Sequence, residues 1–155
     1  MHIPPAAIRP LQLLVFLLFA LPLSVIDARS FRLPDALTLG GFAALALTTM
    51  VLDPRAVPGS LLAAGLAGVL FWTLRKTMGG LGLGDVKYAA LVGFFTGPRG
   101  LSPALAVAAA TGILYALAAR AVRGRSLRER IPFGPFLTFG ALASFALEAW
   151  GRRGT

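Results

Sequence analysis

Six apolar runs limit what this chain can fold into more than any other feature of its sequence. They cover residues 11–26, 36–52, 58–74, 86–97, 101–119 and 133–150 of 155. A bilayer core requires about 20 apolar residues per helix, and only helices or closed β-barrels satisfy their backbone amides in lipid. The runs lack the alternation of barrel strands. We therefore predict an all-α membrane protein, a polytopic bundle of about six transmembrane helices in one domain over residues 1–155.

The run 86–97 is short for a transmembrane helix, since it has about 12 residues. The sequence therefore leaves open whether it spans the bilayer or is re-entrant. The two longer runs before it, 36–52 and 58–74, return the chain to the side that it left. We expect Asp27 and Asp85, which flank these two runs, to face the same leaflet in either case.

The chain has a formal net charge of +9, a value that by itself suggests a nucleic-acid partner. The placement of its 15 basic residues instead follows the positive-inside rule. Ten lie at or beside three connections between runs: Arg29, Arg32, Arg75, Lys76, Lys87, Arg120, Arg123, Arg125, Arg128 and Arg130. The other five are Arg9, Arg55, Arg99, Arg152 and Arg153. We therefore predict a multi-pass inner-membrane protein in contact with lipid, with the first set cytoplasmic, both termini outside and no nucleic-acid partner.

The sequence excludes several kinds of catalytic chemistry. It has no cysteine, and its single histidine is His2. Disulfides, thiolate catalysis and Cys- or His-based metal clusters are therefore excluded. We expect no metal and no cofactor.

Asp27 and Asp85 are the most informative of the six acids, because a charged side chain at membrane depth is costly and indicates function by default. Asp27 ends the first run, where taken alone it is interpreted as an interfacial partner of Arg29 or Arg32. Asp85 follows glycines at 79, 80, 82 and 84, and alone it is interpreted as the cap of a flexible turn.

Four neighbouring or packing residues receive ordinary structural interpretations. Asp35 follows proline and precedes a run, which predicts an N-cap. Lys87 is two residues beyond Asp85, so on a helix the two side chains point apart, and we expect its ammonium to snorkel toward lipid head groups. Gly65 and Gly68 are assigned to close helix packing.

A pair of carboxylates on one leaflet predicts more than either acid alone. Two like charges in a low-dielectric site cannot both ionise, so the pair shares one proton. The ionised member can then take a proton from water while the neutral member donates one to a scissile carbonyl oxygen. This chemistry hydrolyses a peptide bond without a metal or a covalent nucleophile.

Three segments resemble motifs of the bacterial type IV prepilin peptidases, a family of Gly-x-Gly-Asp aspartyl peptidases. The segments are Gly82-Leu83-Gly84-Asp85 with Lys87, Asp27 followed by Leu33-Pro34-Asp35, and Ile131-Pro132-Phe133-Gly134-Pro135-Phe136. The resemblance implies that Asp27 and Asp85 are catalytic and that Gly82, Gly84 and Lys87 belong to the active-site loop. It also suggests a substrate entrance formed by Pro34, Asp35, Pro132, Phe133, Gly134 and Pro135.

The resemblance implies an aspartic endopeptidase that removes the short basic leader from prepilins or pseudopilins at the cytoplasmic face. Acids such as Glu129 or Asp35 are candidates for meeting the leader. Many members also carry an N-terminal segment with paired Cys-x-x-Cys motifs and N-methylate the product. Because this sequence begins at the first catalytic helix and has no cysteine, N-methyltransferase activity is not predicted.

Two other classes of function remain open from the residues. The same acids could serve a small proton-coupled transporter, or cap helices in a non-enzymatic assembly component of a pilus or secretion apparatus. A proton relay usually distributes its acids through the depth of the membrane. Asp27 and Asp85 are both predicted at one boundary, which favours the peptidase.

Overall fold

The computed structural model describes residues 5–78, 81–123 and 131–151, and their regular structure is entirely helical. The helices are α1 (Pro5–Ser30), α2 (Asp35–Leu52), α3 (Val57–Met78), α4 (Leu83–Arg123) and α5 (Gly134–Gly151), with a 3-10 turn at Pro54–Ala56. Within these residues, four stretches are long and apolar enough to cross a membrane: Ile8–Ser30, Asp35–Leu52, Pro54–Thr77 and Leu83–Val122. The predicted all-α membrane fold is confirmed.

Helix α4 contains two helical limbs, because its backbone breaks at Gly97. This glycine has φ 67° and ψ −178°, a conformation essentially restricted to glycine. Pro98 follows directly. Proline lacks an N–H, and in the first turn of a helix that N–H would have no partner within the helix. The predicted runs 86–97 and 101–119 therefore lie on the two limbs of α4, on either side of the break at Gly97.

The first limb of α4 runs parallel to α5. The hydroxyl of Tyr88 is hydrogen-bonded to that of Thr138, and further along both segments Phe95 stacks on Phe145 with ring centroids 6.0 Å apart. Increasing residue numbers on the first limb thus match increasing numbers on α5.

The second limb of α4 runs antiparallel to α5. Ser144 donates to the carbonyl of Gly100 at 2.8 Å, whereas Gly112 faces Phe133 at the start of α5. The chain therefore reverses at Gly97, and its first limb, although short, reaches the opposite end of the bundle from the one where α4 begins.

Two ends of the bundle can be defined from these directions. The Asp27 end contains the end of α1, the start of α2 and the starts of α4 and α5. The Arg9 end contains the start of α1, the end of α5 and the Gly97 reversal, and there Arg9 pairs with Glu148 at 3.0 Å.

The interior of the bundle contains stacked aromatic rings toward the Arg9 end and buried leucines toward the Asp27 end. Phe16 stacks on Phe95 with centroids 4.2 Å apart, and Leu23, Leu91 and Leu137 are fully buried. On the outside, by contrast, large side chains are exposed, as in a surface that faces lipid: Leu14, Leu18, Val51, Leu62, Val69, Leu114 and Leu147.

Small residues bring the helices into close contact, and of the two predicted glycines Gly68 is among them, since a Cβ there would lie 3.8 Å from Cβ of Ala90 in α4. A methyl group on Gly93 would meet the backbone of Ala63 in α3, and one on Gly140 would meet the backbone of Ala104 in the second limb of α4. The packing role predicted for Gly65 is wrong, since a Cβ built there would have no atom within 4 Å apart from the neighbouring residues and backbone of its own helix. The physical reason is helix rotation: α3 turns Ala63 toward α4 and leaves Gly65 on the outside.

These contacts predict opposite effects for two glycine-to-alanine substitutions. Gly140→Ala should destabilise the bundle by about 1–3 kcal/mol, because the added methyl overlaps the neighbouring carbonyl. Gly65→Ala should be neutral or stabilising by up to about 1 kcal/mol, from helix propensity alone. Thermal unfolding in detergent measures both, and equal effects would contradict the packing described here.

Candidate active site

The Asp27 side chain is buried at the last turn of α1, with 4% of its surface exposed. Its Oδ2 accepts the backbone N–H of Gly134 at 2.7 Å. Gly134 is the first residue of α5, so this N–H has no partner within its own helix, and the carboxylate lies at the positive end of the α5 dipole. Neither Arg29 nor Arg32 forms an ion pair with Asp27 in the described structure, so the interfacial interpretation of this acid is wrong.

The absence of a side chain at position 134 allows this contact. A Cβ there would lie 2.9 Å from Asp27 Oδ2 and 3.1 Å from Asp27 Cβ. Pro135 follows as the second residue of α5, where the missing N–H costs nothing. The Pro-Phe-Gly-Pro segment thus starts α5 at a point where its first amide meets the carboxylate of α1.

Asp85 lies in the first turn of α4. Its Oδ2 accepts a hydrogen bond from the backbone N–H of Gly82 at 2.8 Å. This contact closes the turn before the helix, in agreement with the interpretation of Asp85, taken alone, as the cap of a turn. The glycine between them has a different role, because a Cβ on Gly84 would lie 2.8 Å from Cβ of Leu33. Gly84 therefore admits the α1–α2 connection against the start of α4.

Phe31 directs that connection. It has φ 53°, a left-handed conformation that a non-glycine residue adopts at a cost of about 1–2 kcal/mol. Its N–H still donates to the carbonyl of Asp27 at 2.9 Å. Phe31 therefore ends α1 one helical turn after the buried acid. The turn places the next residues beside α4.

The two acids line one open cavity of about 510 Å³ at the Asp27 end. Its lining residues are Asp27, Phe31, Arg32, Leu33, Pro34, Asp35, Gly82, Gly84 and Asp85. Residues distant in sequence thus meet at one solvent-accessible space. Of the residues predicted for the entrance, Pro34 and Asp35 line it, whereas Pro132, Phe133, Gly134 and Pro135 do not.

Lys87 and Asp35 differ from their sequence interpretations. The Nζ of Lys87 lies 2.7 Å from Asp35 Oδ2, so the ammonium is paired and does not snorkel to lipid. Asp35 is the first residue of α2, while Pro34 holds the cap position and no side chain caps the helix. The predicted N-cap is therefore wrong, because the carboxylate is drawn to a cation on another helix. The pair joins the starts of α2 and α4.

Three hydroxyl groups lie one helical turn deeper than the acids. Ser24 Oγ and the Tyr88 hydroxyl both bond to Thr138 Oγ1. Sequence analysis missed this cluster. A signal was present, since Ser24 precedes Asp27 by one turn and Tyr88 follows Asp85 by one turn, each on the same helix face as its acid.

A second, larger cavity of about 680 Å³ lies at the Arg9 end and contains none of the predicted site residues. It is lined by three of the arginines that the sequence assigned to the outer side, Arg9, Arg55 and Arg99. Across residues 5–78, 81–123 and 131–151, no three His, Cys, Asp or Glu side chains cluster as metal ligands would. Nine residues considered above lie outside the described parts of the chain: His2, Gly79, Gly80, Arg125, Arg128, Glu129, Arg130, Arg152 and Arg153.

The Asp27–Gly134 contact can be tested by coupling. Gly134→Ala should lower the free energy of unfolding by about 1–3 kcal/mol, because the methyl displaces the buried carboxylate from its donor. In an Asp27→Ala background the same change should cost less, since the clashing atoms are gone. Gly151→Ala, with no atom within 4 Å, is the control. Thermal unfolding of all four variants gives the coupling energy, and strict additivity would contradict the contact.

Comparison with known proteins identifies the family of this chain. The model of the type IV leader peptidase family matches residues 14–117, which include both acids. The chain is 33% identical to the prepilin leader peptidase/N-methyltransferase of Escherichia coli K12 over 144 residues, covering 89% of this chain and 64% of that protein. It is 33% identical to the Pectobacterium carotovorum protein of the same name, covering 88% and 51%, and 31% identical to that of Pseudomonas putida, covering 94% and 52%.

The chain therefore spans about half to two thirds of the length of these relatives. No solved structure matches it. The family match covers well over half of the sequence and contains the two helix ends that carry Asp27 and Asp85. This chain belongs to the type IV leader peptidase family.

Proposed function

We propose that this chain is a membrane-embedded aspartic endopeptidase that removes the leader peptide from prepilins or pseudopilins at the cytoplasmic face of the bacterial inner membrane. Asp27 and Asp85 are its catalytic acids. The observation that carries the proposal is that these two carboxylates line one open cavity, in a chain whose relatives bear the name prepilin leader peptidase.

The reaction follows from two carboxyl groups that share one proton. The ionised carboxylate removes a proton from a water molecule as its oxygen attacks the scissile carbonyl carbon, and the neutral carboxyl donates its proton to the carbonyl oxygen. The resulting tetrahedral diol collapses when the C–N bond breaks. The carboxyl that holds the proton from water donates it to the departing nitrogen, and the ionised carboxylate takes a proton from a hydroxyl of the diol. One product keeps the new carboxyl group, and the pair again holds one proton.

The two acids differ in how far their side chains are buried, and each accepts a hydrogen bond from a backbone amide. Asp27 is buried and holds one amide donor at the start of α5. Asp85 is partly exposed and holds one at the start of α4. Each carboxylate accepts a hydrogen bond from a backbone amide beside a helix start, which helps to position both acids before substrate arrives.

The cavity also suits a basic leader. Its lining carries three carboxyl groups, Asp27, Asp35 and Asp85, and the guanidinium of Arg32. Because Asp27 and Asp85 share one proton and Asp35 is paired with Lys87, these charges nearly balance, so a cationic leader would be held by individual carboxyl oxygens and not by a net negative field. A volume of about 510 Å³ lies within the range of about 300–1,000 Å³ found for binding pockets. Asp35 is already paired with Lys87, so the leader would compete for it.

The proposal concerns peptide cleavage alone. The printed names of the relatives also include N-methyltransferase, but no methyl transfer is proposed for this chain. The cytoplasmic placement rests on charge, because seven basic residues within the described parts of the chain belong to helix ends or connections at the Asp27 end: Arg29, Arg32, Arg75, Lys76, Lys87, Arg120 and Arg123. By the same argument the Arg9 end faces outward.

Cleavage of a prepilin by the purified chain in detergent tests the proposal. Asp27→Asn and Asp85→Asn keep side-chain size but cannot hold the shared proton, so each should lower kcat by about 10²–10⁴-fold. Asp53→Asn, at the Arg9 end, is the matched control and should cleave like the unaltered chain. Cleavage that survives both active-site substitutions would reject the pair. Proton flux into liposomes that is lost in the same variants would favour a transporter instead.

The placement of both acids on one side is testable by labelling. Because the chain has no cysteine, Arg29→Cys and Leu83→Cys each introduce a single thiol at an exposed position near one acid. In inverted membrane vesicles, where the cytoplasmic face is outward, both thiols should react with an impermeant maleimide. In intact spheroplasts neither should. Labelling of the two positions from opposite sides would exclude the proposed site.

A further inference from the structure

Three hydroxyls beneath the acids, those of Tyr88 and Thr138 buried and that of Ser24 partly buried, form a connected cluster across three helices. Ser24 belongs to α1, Tyr88 to the first limb of α4 and Thr138 to α5. Thr138 Oγ1 is the centre, bonded to both other hydroxyls and 3.1 Å from the carbonyl of Gly134. Ser24 Oγ lies 2.7 Å from the carbonyl of Ala20.

Each hydroxyl in this cluster has one proton to donate, and two arrangements give every proton an acceptor. In the first, Tyr88 donates to Thr138, Thr138 to Ser24, and Ser24 to the carbonyl of Ala20. In the second, Tyr88 and Ser24 both donate to Thr138, and Thr138 donates to the carbonyl of Gly134. Each hydroxyl proton then has an acceptor, and no buried side-chain oxygen or nitrogen among the described residues is left without a partner.

The cluster lies directly beneath the groups that form the site. Ser24 is one turn from Asp27, Tyr88 is one turn from Asp85, and Thr138 is one turn from Gly134. At 1.5 Å per residue, each hydroxyl carrier is about 5 Å deeper in the bundle than its partner at the site. The same three helices that present the acids and their amide donor are therefore joined at one point.

Because these hydrogen bonds lie in an apolar environment, they restrict how the three helices can rotate and slide against one another. Tyr88 is fully buried and Thr138 is 5% exposed, next to the fully buried Leu23, Leu91 and Leu137. Apolar contacts between membrane helices allow sliding and rotation with little penalty, whereas polar bonds in this environment hold one arrangement. Rotation of α1 or the first limb of α4 by a fraction of a turn would break a hydroxyl contact and turn an acid away from the cavity.

We propose that Ser24, Tyr88 and Thr138 are positioning residues that hold α1, α4 and α5 in one rotation and depth, so that the carboxylates of Asp27 and Asp85 face the same cavity. This inference rests on the proposed peptidase function. The hydroxyls act through the acids and do not touch substrate.

Substitutions at Thr138 separate positioning from general stability. Thr138→Val keeps the shape but removes the central hydroxyl, whereas Thr138→Ser retains the hydroxyl. Because a misplacement of about 1 Å can reduce a rate about 10²-fold, Thr138→Val should lower kcat by about that factor. KM should change little, since the cavity lining is intact. Thr138→Ser should retain the original kcat, and Tyr88→Phe should resemble Thr138→Val. All rates are measured well below each variant's thermal midpoint and per folded enzyme.

A distance measurement tests the inference independently of cleavage. Spin labels at Arg29→Cys and Leu83→Cys, on the exposed ends of α1 and α4, report the relative placement of the helices that carry the acids. The unaltered hydroxyl cluster and Thr138→Ser should give one narrow distance distribution, and Thr138→Val a broadened or shifted one. The label pair is compared in otherwise identical backgrounds.

The outcomes distinguish the two proposals. If the unaltered chain fails to cleave, or the Asp→Asn variants still cleave, the peptidase proposal fails and the distance distributions alone decide the positioning role. If the unaltered chain cleaves, the Asp→Asn variants do not, and Thr138→Val matches it in kcat and in distance distribution, the positioning inference is overturned while the proposed function stands.

Discussion

A carboxylate buried in a membrane helix requires a hydrogen-bond donor, and the rest of this site depends on how Asp27 obtains one. The donor is the first backbone amide of α5, contributed by Gly134. A helix N-terminus leaves such amides without partners, so the acid and the helix end each satisfy a group that would be costly alone. The contact places the start of α5 against the end of α1, with the cavity beside it.

The reversal at Gly97 brings the second acid to the same place. The first limb of α4 runs parallel to α5 and the second runs back beside it, so α5 packs against α4 along both limbs. The positive φ of Gly97 allows this reversal without a loop. Asp85 thus begins a limb whose next turn carries Tyr88, and the hydroxyl contact with Thr138 ties that limb to α5.

Charges of both signs lie at the Asp27 end. The charged groups that line the cavity are three carboxyl groups and the guanidinium of Arg32. Lys87 pairs with Asp35 and so connects α4 to α2. An ion pair this exposed contributes about 0–1 kcal/mol, so its main effect is on the local arrangement of charge at the cavity edge.

The amino-acid sequence alone determined the fold class, the order of the apolar runs, the family resemblance and the candidate acids Asp27 and Asp85. Hydropathy and short motifs are properties of neighbouring residues, and the bilayer permits few folds for such a pattern. Only the tertiary structure decided that Asp27 bonds to Gly134, that Lys87 pairs with Asp35, that Gly93 and Gly140 rather than Gly65 make the close contacts, and that three hydroxyls meet beneath the acids. Each of these depends on how helices distant in sequence are rotated about their axes, and in an apolar chain local sequence constrains that rotation only weakly, because many faces of each helix are equally suited to lipid.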